Sequence, residues 1–180
     1  MLFNMLCARS RLSAFQVATA GVFTALVIVV TLAFRVPIPM TSGGYFNLGE
    51  TVIFSAALLF GPFVGLIAGS GAAIVDVMVS PGYAPVTFVL KTVEGFIVGY
   101  LLKKVKKKVK SLTLCATIVI LIGGSVMVAG YFVYEMFMFD YAYALTGVPF
   151  NIIQMLAGLI VAVPTMHAVL RVFPQLESYI

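Results

Sequence analysis

Five ionisable side chains lie within or at the ends of long apolar stretches of this sequence. They are Glu50, Asp76, Lys91, Glu94 and Glu135. A charged group in hydrocarbon is costly, so one that remains there usually faces a bundle interior, pairs with another charge or lines a polar site. These residues are therefore the first candidates for binding a ligand.

Lys91 and Glu94 are three residues apart, which places them on one face of a helix. At about 1.5 Å rise per residue, they would lie roughly 9 and 14 Å below the outer end of that helix. They can form a structural ion pair or share a ligand, and the sequence leaves both open. Glu50 and Asp76 are likewise either ligand contacts or charges that stabilise the bundle.

Further polar side chains gather at the same predicted depth. Amides offer both hydrogen-bond donors and acceptors, and tyrosines offer a flat surface, which together suit a neutral heteroaromatic ligand. For any single tyrosine, anchoring at the membrane interface is an alternative explanation. The predicted substrate-binding residues are Asn47, Tyr83, Lys91, Glu94, Tyr131, Glu135, Asn151 and Gln154.

The composition places these residues in a membrane. Of 180 residues, 62% are hydrophobic and 9% are charged, whereas a soluble domain is about half apolar and roughly a quarter charged. We therefore predict an all-α integral membrane protein, a compact bundle of six transmembrane helices in a single domain, 1–180. The predicted helices are about 14–34, 50–60, 62–79, 85–102, 112–134 and 150–170, of which the second is short for a full crossing.

Basic residues predict the orientation of the bundle. Six of the eleven lysines and arginines lie between Lys103 and Lys110. With six crossings, this basic loop 103–110 shares one side with Arg9, Arg11 and Arg171, and the positive-inside rule makes that side cytoplasmic. Both termini are then inside, and the outer loops are 35–49, 80–84 and 135–149. The concentration of the basic residues is explained by this topology, so no nucleic-acid partner is expected.

Motifs for catalysis are missing from the sequence. It contains no HExxH, no GxSxG and no phosphate-binding GK[ST] loop, and Cys7 and Cys115 form no CxxC pair. His167, near the predicted cytoplasmic end of the last helix, is interpreted as structural. We expect no catalytic residues, no metal and no cofactor, so active uptake would draw energy from another subunit or from an ion gradient.

The first helix carries a stripe of small residues with almost no charge. Ala14, Ala18, Gly21 and Ala25 recur at helical spacing. Such stripes let helices approach closely in lipid. The stripe indicates either an internal helix contact or a surface that docks on a partner membrane protein.

These features together resemble the S components of energy-coupling factor (ECF) transporters. The resemblance rests on the chain's size, the small-residue helix 1, the block from Tyr45 to Phe54, and its continuation through Leu59-Phe60-Gly61-Pro62 and Gly65-Leu66-Ile67-Ala68-Gly69 to Asp76. The segments Tyr83-Ala84-Pro85 and Lys91-Thr92-Val93-Glu94-Gly95 are also similar to it. The blocks look closest to the riboflavin, hydroxymethylpyrimidine or pyridoxine branch.

The resemblance implies a function that the residues alone do not. It implies high-affinity capture of a water-soluble vitamin or vitamin precursor from outside, with the first outer loop, 35–49, as a gate. It also implies a transmembrane coupling subunit and two cytoplasmic ATPases as partners, with Ala14, Ala18, Gly21 and Ala25 as the docking stripe. The alternative is a self-sufficient ion-coupled transporter of a small polar solute, with Asp76, Lys91 or Glu94 relaying protons.

Overall fold

The computed structural model describes residues 13–39, 41 and 43–179 of this chain. The described residues form six α-helices, a short antiparallel β-ribbon and a terminal 3₁₀ helix, Pro174–Tyr179. The helices are α1 Ala14–Ala33, α2 Gly49–Phe60, α3 Pro62–Val79, α4 Ala84–Val105, α5 Leu112–Met138 and α6 Tyr141–Val172, and the ribbon strands are β1 Val36–Pro37 and β2 Tyr45–Phe46. The predicted Arg9, Arg11 and Cys7 lie outside the described residues.

Five of these helices are long and apolar enough to cross a membrane. The exception is α2, whose 12 residues span about 18 Å, less than the roughly 30 Å of a hydrocarbon core. Gly61 follows α2 with φ 85°, a conformation that favours glycine, and Pro62 opens α3 directly after it. The predicted tight turn between the second and third helices is confirmed.

The predicted outer loop 135–149 is wrong. Helix α5 continues to Met138 and α6 begins at Tyr141, so only Phe139 and Asp140 connect them. The Asp140 carboxylate accepts a hydrogen bond from the Tyr143 backbone N–H at 2.8 Å and caps the first turn of α6. Pro149 lies inside α6.

Successive helices run in opposite directions between two ends of the bundle. At one end, the Phe15 ring lies 5.6 Å from that of Tyr179 and 6.1 Å from that of Phe60. The start of α5 and the end of α6 meet there as well, where Thr113 Oγ1 lies 2.8 Å from His167 Nε2. The β-ribbon, the α3–α4 connection and the α5–α6 connection lie at the opposite end.

Helices α3 and α4 cross at very close range through glycines. A Cβ built at Gly65 would lie 2.5 Å from the Gly95 carbonyl oxygen, and one built at Gly99 would lie 2.5 Å from the Pro62 nitrogen. Gly69 faces the backbone of Lys91 in the same way. This contact holds α4, and with it Lys91, at a fixed height against α3.

Helix α1 packs on α3 through one narrow face. Its buried residues are Ala20, Val27 and Thr31, and the Thr24 hydroxyl donates to the Ile67 carbonyl at 3.1 Å. The predicted small-residue stripe lies on the outside, because Ala14, Ala18, Gly21 and Ala25 are all exposed. A Cβ at Gly21 would meet nothing within 4 Å, so the stripe makes no helix contact with the part of the chain that the structure describes.

Candidate substrate-binding site

A small polar cavity lies at the end of the bundle that carries the β-ribbon. Its volume is about 40 Å³, well below the roughly 300–1,000 Å³ of ligand pockets in general. The β1–β2 segment, Asn47 just before α2 and helices α3 to α6 contribute to its wall. The lining residues are Ile38, Gly43, Gly44, Tyr45, Asn47, Ala72, Asp76, Tyr83, Thr87, Lys91, Tyr131, Glu135, Asn151 and Gln154.

The segment from β1 to β2 closes one side of this cavity. The two strands pair Val36 with Phe46 and Pro37 with Tyr45. The Ser80 hydroxyl donates to the Gly43 carbonyl at 2.5 Å, where Gly43 has φ 99°. Only glycine adopts that conformation at low cost, so Gly43 is needed for the turn that covers the cavity.

Tyr45 ties the same segment to α3. Its hydroxyl donates to a carboxylate oxygen of Asp76. Burial, together with the neighbouring Asp76 charge, raises the pKa of Tyr45 above its usual value of about 10. Tyr45 therefore stays a neutral donor to the Asp76 carboxylate.

A tyrosine and carboxylate pair forms the opposite wall. The Tyr83 hydroxyl donates to Glu135 Oε1 at 3.0 Å and lies 3.1 Å from the Tyr143 hydroxyl. Burial, more than the contacts with Tyr143 and Glu135, raises the pKa of Tyr83, so its hydroxyl stays protonated. Glu135 is 4% exposed and its Oε2 has no hydrogen-bond partner among the described residues.

Tyr131 presents an aromatic surface between these two walls. Its hydroxyl lies 2.8 Å from the Thr87 hydroxyl, which fixes the ring, and its centroid lies 6.4 Å from the Tyr83 ring. Lys91 Nζ lies 5.4 Å from the Tyr131 centroid. A flat ligand can therefore meet ring faces and hydrogen-bonding groups in the same cavity.

Two amides join the start of α2 to α6 at the floor of the cavity. Gln154 Oε1 accepts from the Asn47 backbone N–H at 3.1 Å and from Asn47 Nδ2 at 3.4 Å. Gln154 Nε2 donates to Glu50 Oε1 at 3.2 Å. These bonds fix the orientation of the Gln154 amide, because its donor and its acceptor are both committed.

Lys91 lies between two carboxylates below this amide pair. Its ammonium group forms an ion pair with Glu50 and lies 3.7 Å from Glu94 Oε2. Glu50 and Glu94 are 1% and 0% exposed, and neither lines the cavity. Lys91 does, so it connects the cavity to the buried ion-pair cluster.

Two acidic side chains of the cavity wall form no ion pair. Lys91 pairs with Glu50 and Glu94, while Asp76 and Glu135 form no ion pair with a basic side chain in the described part of the chain. Buried carboxylates are usually paired or fully hydrogen-bonded. Glu135 Oε2, which has no hydrogen-bond partner among the described residues, is thus an available acceptor in the cavity wall.

Seven of the eight predicted substrate-binding residues line this cavity, and Glu94 is the exception. Of the two residues left open, Asp76 lines it, whereas Glu50 pairs with Lys91. The lining residues that were not predicted from the sequence include Tyr45, Thr87 and the glycines of the β-ribbon. Tyr45 belongs to the same predicted loop as Asn47. Thr87 lies one helical turn before Lys91, so helical spacing from Lys91 was the signal that pointed to it.

The fold and site define a class of protein, an α-helical membrane protein that encloses a small polar ligand cavity near one end. A family profile described as "ECF-type riboflavin transporter, S component" matches residues 11–171. The chain belongs to this family. It is accordingly the substrate-binding subunit of a vitamin-uptake transporter, resides in a membrane, and is not an enzyme.

Two individual relatives match most of this chain in sequence. The chain is 38% identical over 136 residues to an uncharacterised protein from the gap 3′ region of Pyrococcus woesei, covering 75% of this chain and 88% of the relative. It is 30% identical over 144 residues to the thiamine precursor transporter HmpT of Lactococcus lactis subsp. cremoris, covering 79% and 80%.

Solved structures show the same fold. The S component of a bacterial ECF transporter superposes with a TM-score of 0.63 at 20% identity, covering 87% of this chain and 95% of that chain. ThiT from Listeria monocytogenes superposes with a TM-score of 0.64 at 16% identity, covering 90% and 96%. These similarities concern the fold alone, because members of one fold bind different ligands.

Proposed function

We propose that this subunit captures a small vitamin or vitamin precursor with a single heteroaromatic ring, of the hydroxymethylpyrimidine or pyridoxine kind. The observation that carries the proposal is the polar cavity in which Glu135 Oε2 has no hydrogen-bond partner among the described residues. A cavity of about 40 Å³ would have to enlarge less for one ring than for a fused three-ring system. The 30% identity to a thiamine precursor transporter supports the same ligand class.

The carboxylates also favour particular groups on the ligand. Glu135 Oε2 is an available acceptor and Asp76 is a second acidic group in the wall, so a ligand with an amino group, hydroxyl groups or a protonated ring nitrogen suits the cavity. Tyr83 and Tyr131 supply ring surfaces beside these groups. A phosphate ester is disfavoured, since Lys91, the basic residue in the described lining, is already paired with Glu50 and Glu94.

Riboflavin is the second candidate, and the family match is the observation that favours it. Its binding would require the segment from β1 to β2 to move away and enlarge the cavity. The bonds from Tyr45 to Asp76 and from Ser80 to Gly43 would have to break. The two ligand classes therefore differ in the rearrangement that they demand.

We also propose that residues 1–180 form one transmembrane domain with six crossings and both termini in the cytoplasm. The lysine run, the start of α1 and the end of α6 lie at one end of the bundle, which supports a single cytoplasmic face. The cavity would then open to the outside. The outward-facing stripe Ala14, Ala18, Gly21 and Ala25 would dock on a transmembrane coupling subunit, which two ATPases drive.

Ligand identity and energy source can be measured together. Mass spectrometry of the molecule that co-purifies with the protein should detect a single-ring heterocycle, and calorimetry should give one tight site without ATP. Recovery of riboflavin instead would contradict the ligand class. Uptake into vesicles should require ATP and the coupling module, and gradient-driven uptake by this chain alone would contradict the mechanism.

A further inference from the structure

A dense basic surface at the end opposite the cavity takes no part in the proposed function. We call it the lysine platform, and it consists of Lys103, Lys104, Lys106, Lys107, Lys108 and Lys110. All are exposed except Lys106, which is half-buried. Within residues 13–39, 41 and 43–179, none of these lysines forms an ion pair with a carboxylate.

The backbone beneath the platform is held in place. Val105, Val109 and Leu112 pack against the buried core. The Lys108 and Val109 backbone N–H groups donate to the Val105 carbonyl, each at 2.9 Å. The Cys115 thiol donates to the Val109 carbonyl at 3.4 Å. The lysines therefore project from a fixed turn and do not belong to a loose loop.

An aromatic pair marks the level of the platform relative to the membrane. The Tyr100 and Phe96 rings stack with centroids 5.6 Å apart and are 41% and 40% exposed on the flank of α4. Lys104 Nζ lies 4.5 Å from the centroid of the Tyr100 ring. Exposed tyrosines on membrane helices lie at the headgroup level, and lysines next to them extend toward it.

We propose that the lysine platform binds the headgroups of anionic phospholipids. Unpaired lysines directly beyond a membrane helix attract acidic lipids by about 1 kcal/mol each. An acidic protein segment would match the charge equally well. However, the platform continues into the lipid-facing pair of Tyr100 and Phe96, which places its cations beside headgroups and favours lipid as the occupant.

Native mass spectrometry of the purified full chain can test this proposal. The protein is mixed with equal amounts of phosphatidylglycerol and phosphatidylcholine that carry the same acyl chains, at low salt. The test variant replaces Lys106, Lys107, Lys108 and Lys110 with Gln, and the matched control replaces them with Arg. Lys103 and Lys104 stay, because they contact the Gly61 turn and Tyr100.

The wild type and the Arg variant should retain phosphatidylglycerol over phosphatidylcholine by at least about tenfold, and the Gln variant should lose most of this preference. Equal retention of both lipids by the wild type would overturn the proposal. A Gln variant that keeps the wild-type lipid preference would also overturn the proposal, even if that variant no longer assembled with the transporter's other subunits. If the fourfold variant does not fold, single Gln substitutions at Lys107 and Lys108 should each lower the preference by about fivefold.

Discussion

Asp76 and Glu135 are the two residues that give the cavity its chemical character. Each is almost fully buried, at 3% and 4% exposure, each accepts a hydrogen bond from a tyrosine, and Glu135 Oε2 has no partner among the described residues. A hydrogen bond to a buried charged group contributes about 1.5–3 kcal/mol. In the proposed site the ligand contacts both residues, so binding should be sensitive to both.

Asp76→Asn and Glu135→Gln should each weaken ligand binding by at least about tenfold, because the amide keeps the shape but loses the charge. Isothermal titration on purified protein measures the change. Glu177→Gln, which alters an exposed carboxylate at the opposite end, is the matched control and should bind like the wild type. Wild-type affinity in both cavity variants would show that the ligand binds elsewhere.

Lys91 should contribute to stability as well as to the site. Lys91→Met leaves Glu50 and Glu94 buried without a counter-charge, which should lower the free energy of unfolding by about 3–5 kcal/mol. Adding Glu50→Gln should recover part of this loss, because one buried charge is then removed. Denaturant unfolding in detergent measures these values.

The matched control for Lys91 is Lys107→Met, at an exposed position. It should change the free energy of unfolding by less than about 0.5 kcal/mol. A Lys91→Met protein as stable as this control would mean that the buried cluster does not depend on the ammonium group.

Sequence alone identified the charged residues and offered the Lys91–Glu94 pair, but it did not predict that Lys91 also pairs with Glu50. Burial in an apolar chain was enough to single out Asp76, Lys91 and Glu135. That Lys91 pairs with Glu50 depends on the height at which α2 meets α4, and neither spacing nor composition encodes that height. Tyr45 was missed for a similar reason, because its role depends on a fold-back of the loop onto α3.

At the scale of elements, the crossing of α3 and α4 depends on the absence of side chains. Gly95→Ala would place a methyl group against the Gly65 backbone. Since backbone cannot move aside as a side chain can, the substitution should destabilise the bundle by about 1–3 kcal/mol. Thermal unfolding of the purified protein would show a lower Tm.

Gly82→Ala is the control for that prediction, because a Cβ at Gly82 meets nothing within 4 Å. It should leave the Tm unchanged. If Gly95→Ala were as stable as Gly82→Ala, the helices would have to separate without cost, contrary to the close packing described for this pair.

Helix α1 supports a different kind of prediction, because its small residues face outward. Gly21→Leu meets open space among residues 13–39, 41 and 43–179, so folding and ligand binding should be unchanged. A bulky side chain in a docking stripe would prevent close helix approach. ATP-dependent uptake in vesicles with the coupling module should therefore fall at least about tenfold.

The exposed Val22 lies beside that stripe and provides the control. Val22→Leu enlarges the outer surface of α1 outside the small-residue row and should transport normally. Full transport by Gly21→Leu would show that α1 docks through another face or does not dock.

Helical elements were predictable where hydropathy and turn residues agreed. The Gly61-Pro62 turn separates α2 from α3, as the predicted spans 50–60 and 62–79 indicated. A left-handed glycine and a proline affect the backbone over only a few residues, so their effect can be predicted from the local sequence. The segment 135–149 was not predictable in this way. Its aromatic and polar residues resembled a loop, yet the Asp140 cap starts a helix that continues through Pro149.

For the molecule as a whole, the proposed topology can be tested by labelling single cysteines. In a background with Cys7 and Cys115 replaced by Ala, Gly82→Cys should react with a membrane-impermeant maleimide in intact cells. Lys107→Cys should react only after permeabilisation, because the positive-inside rule places the lysines in the cytoplasm. The reverse pattern would invert the bundle.

The overall organisation was the part most accessible from sequence, since hydropathy predicts the crossings and the charge distribution predicts their direction. The enclosed cavity was less accessible. Its closure depends on the β-ribbon and on α6 meeting α2 through Asn47 and Gln154. Such contacts join residues that are 107 positions apart in the chain, and one sequence carries no direct record of them.

The separation of charge between the two ends gives the whole bundle an electric dipole along its helices. The lysine platform is positive, and the cavity end holds Asp76 and Glu135. In the proposed topology, an inside-negative membrane potential acts on this dipole and favours the upright orientation. Moving one elementary charge through 100 mV changes the energy by about 2.3 kcal/mol. Any motion that tilts the bundle will therefore be sensitive to voltage.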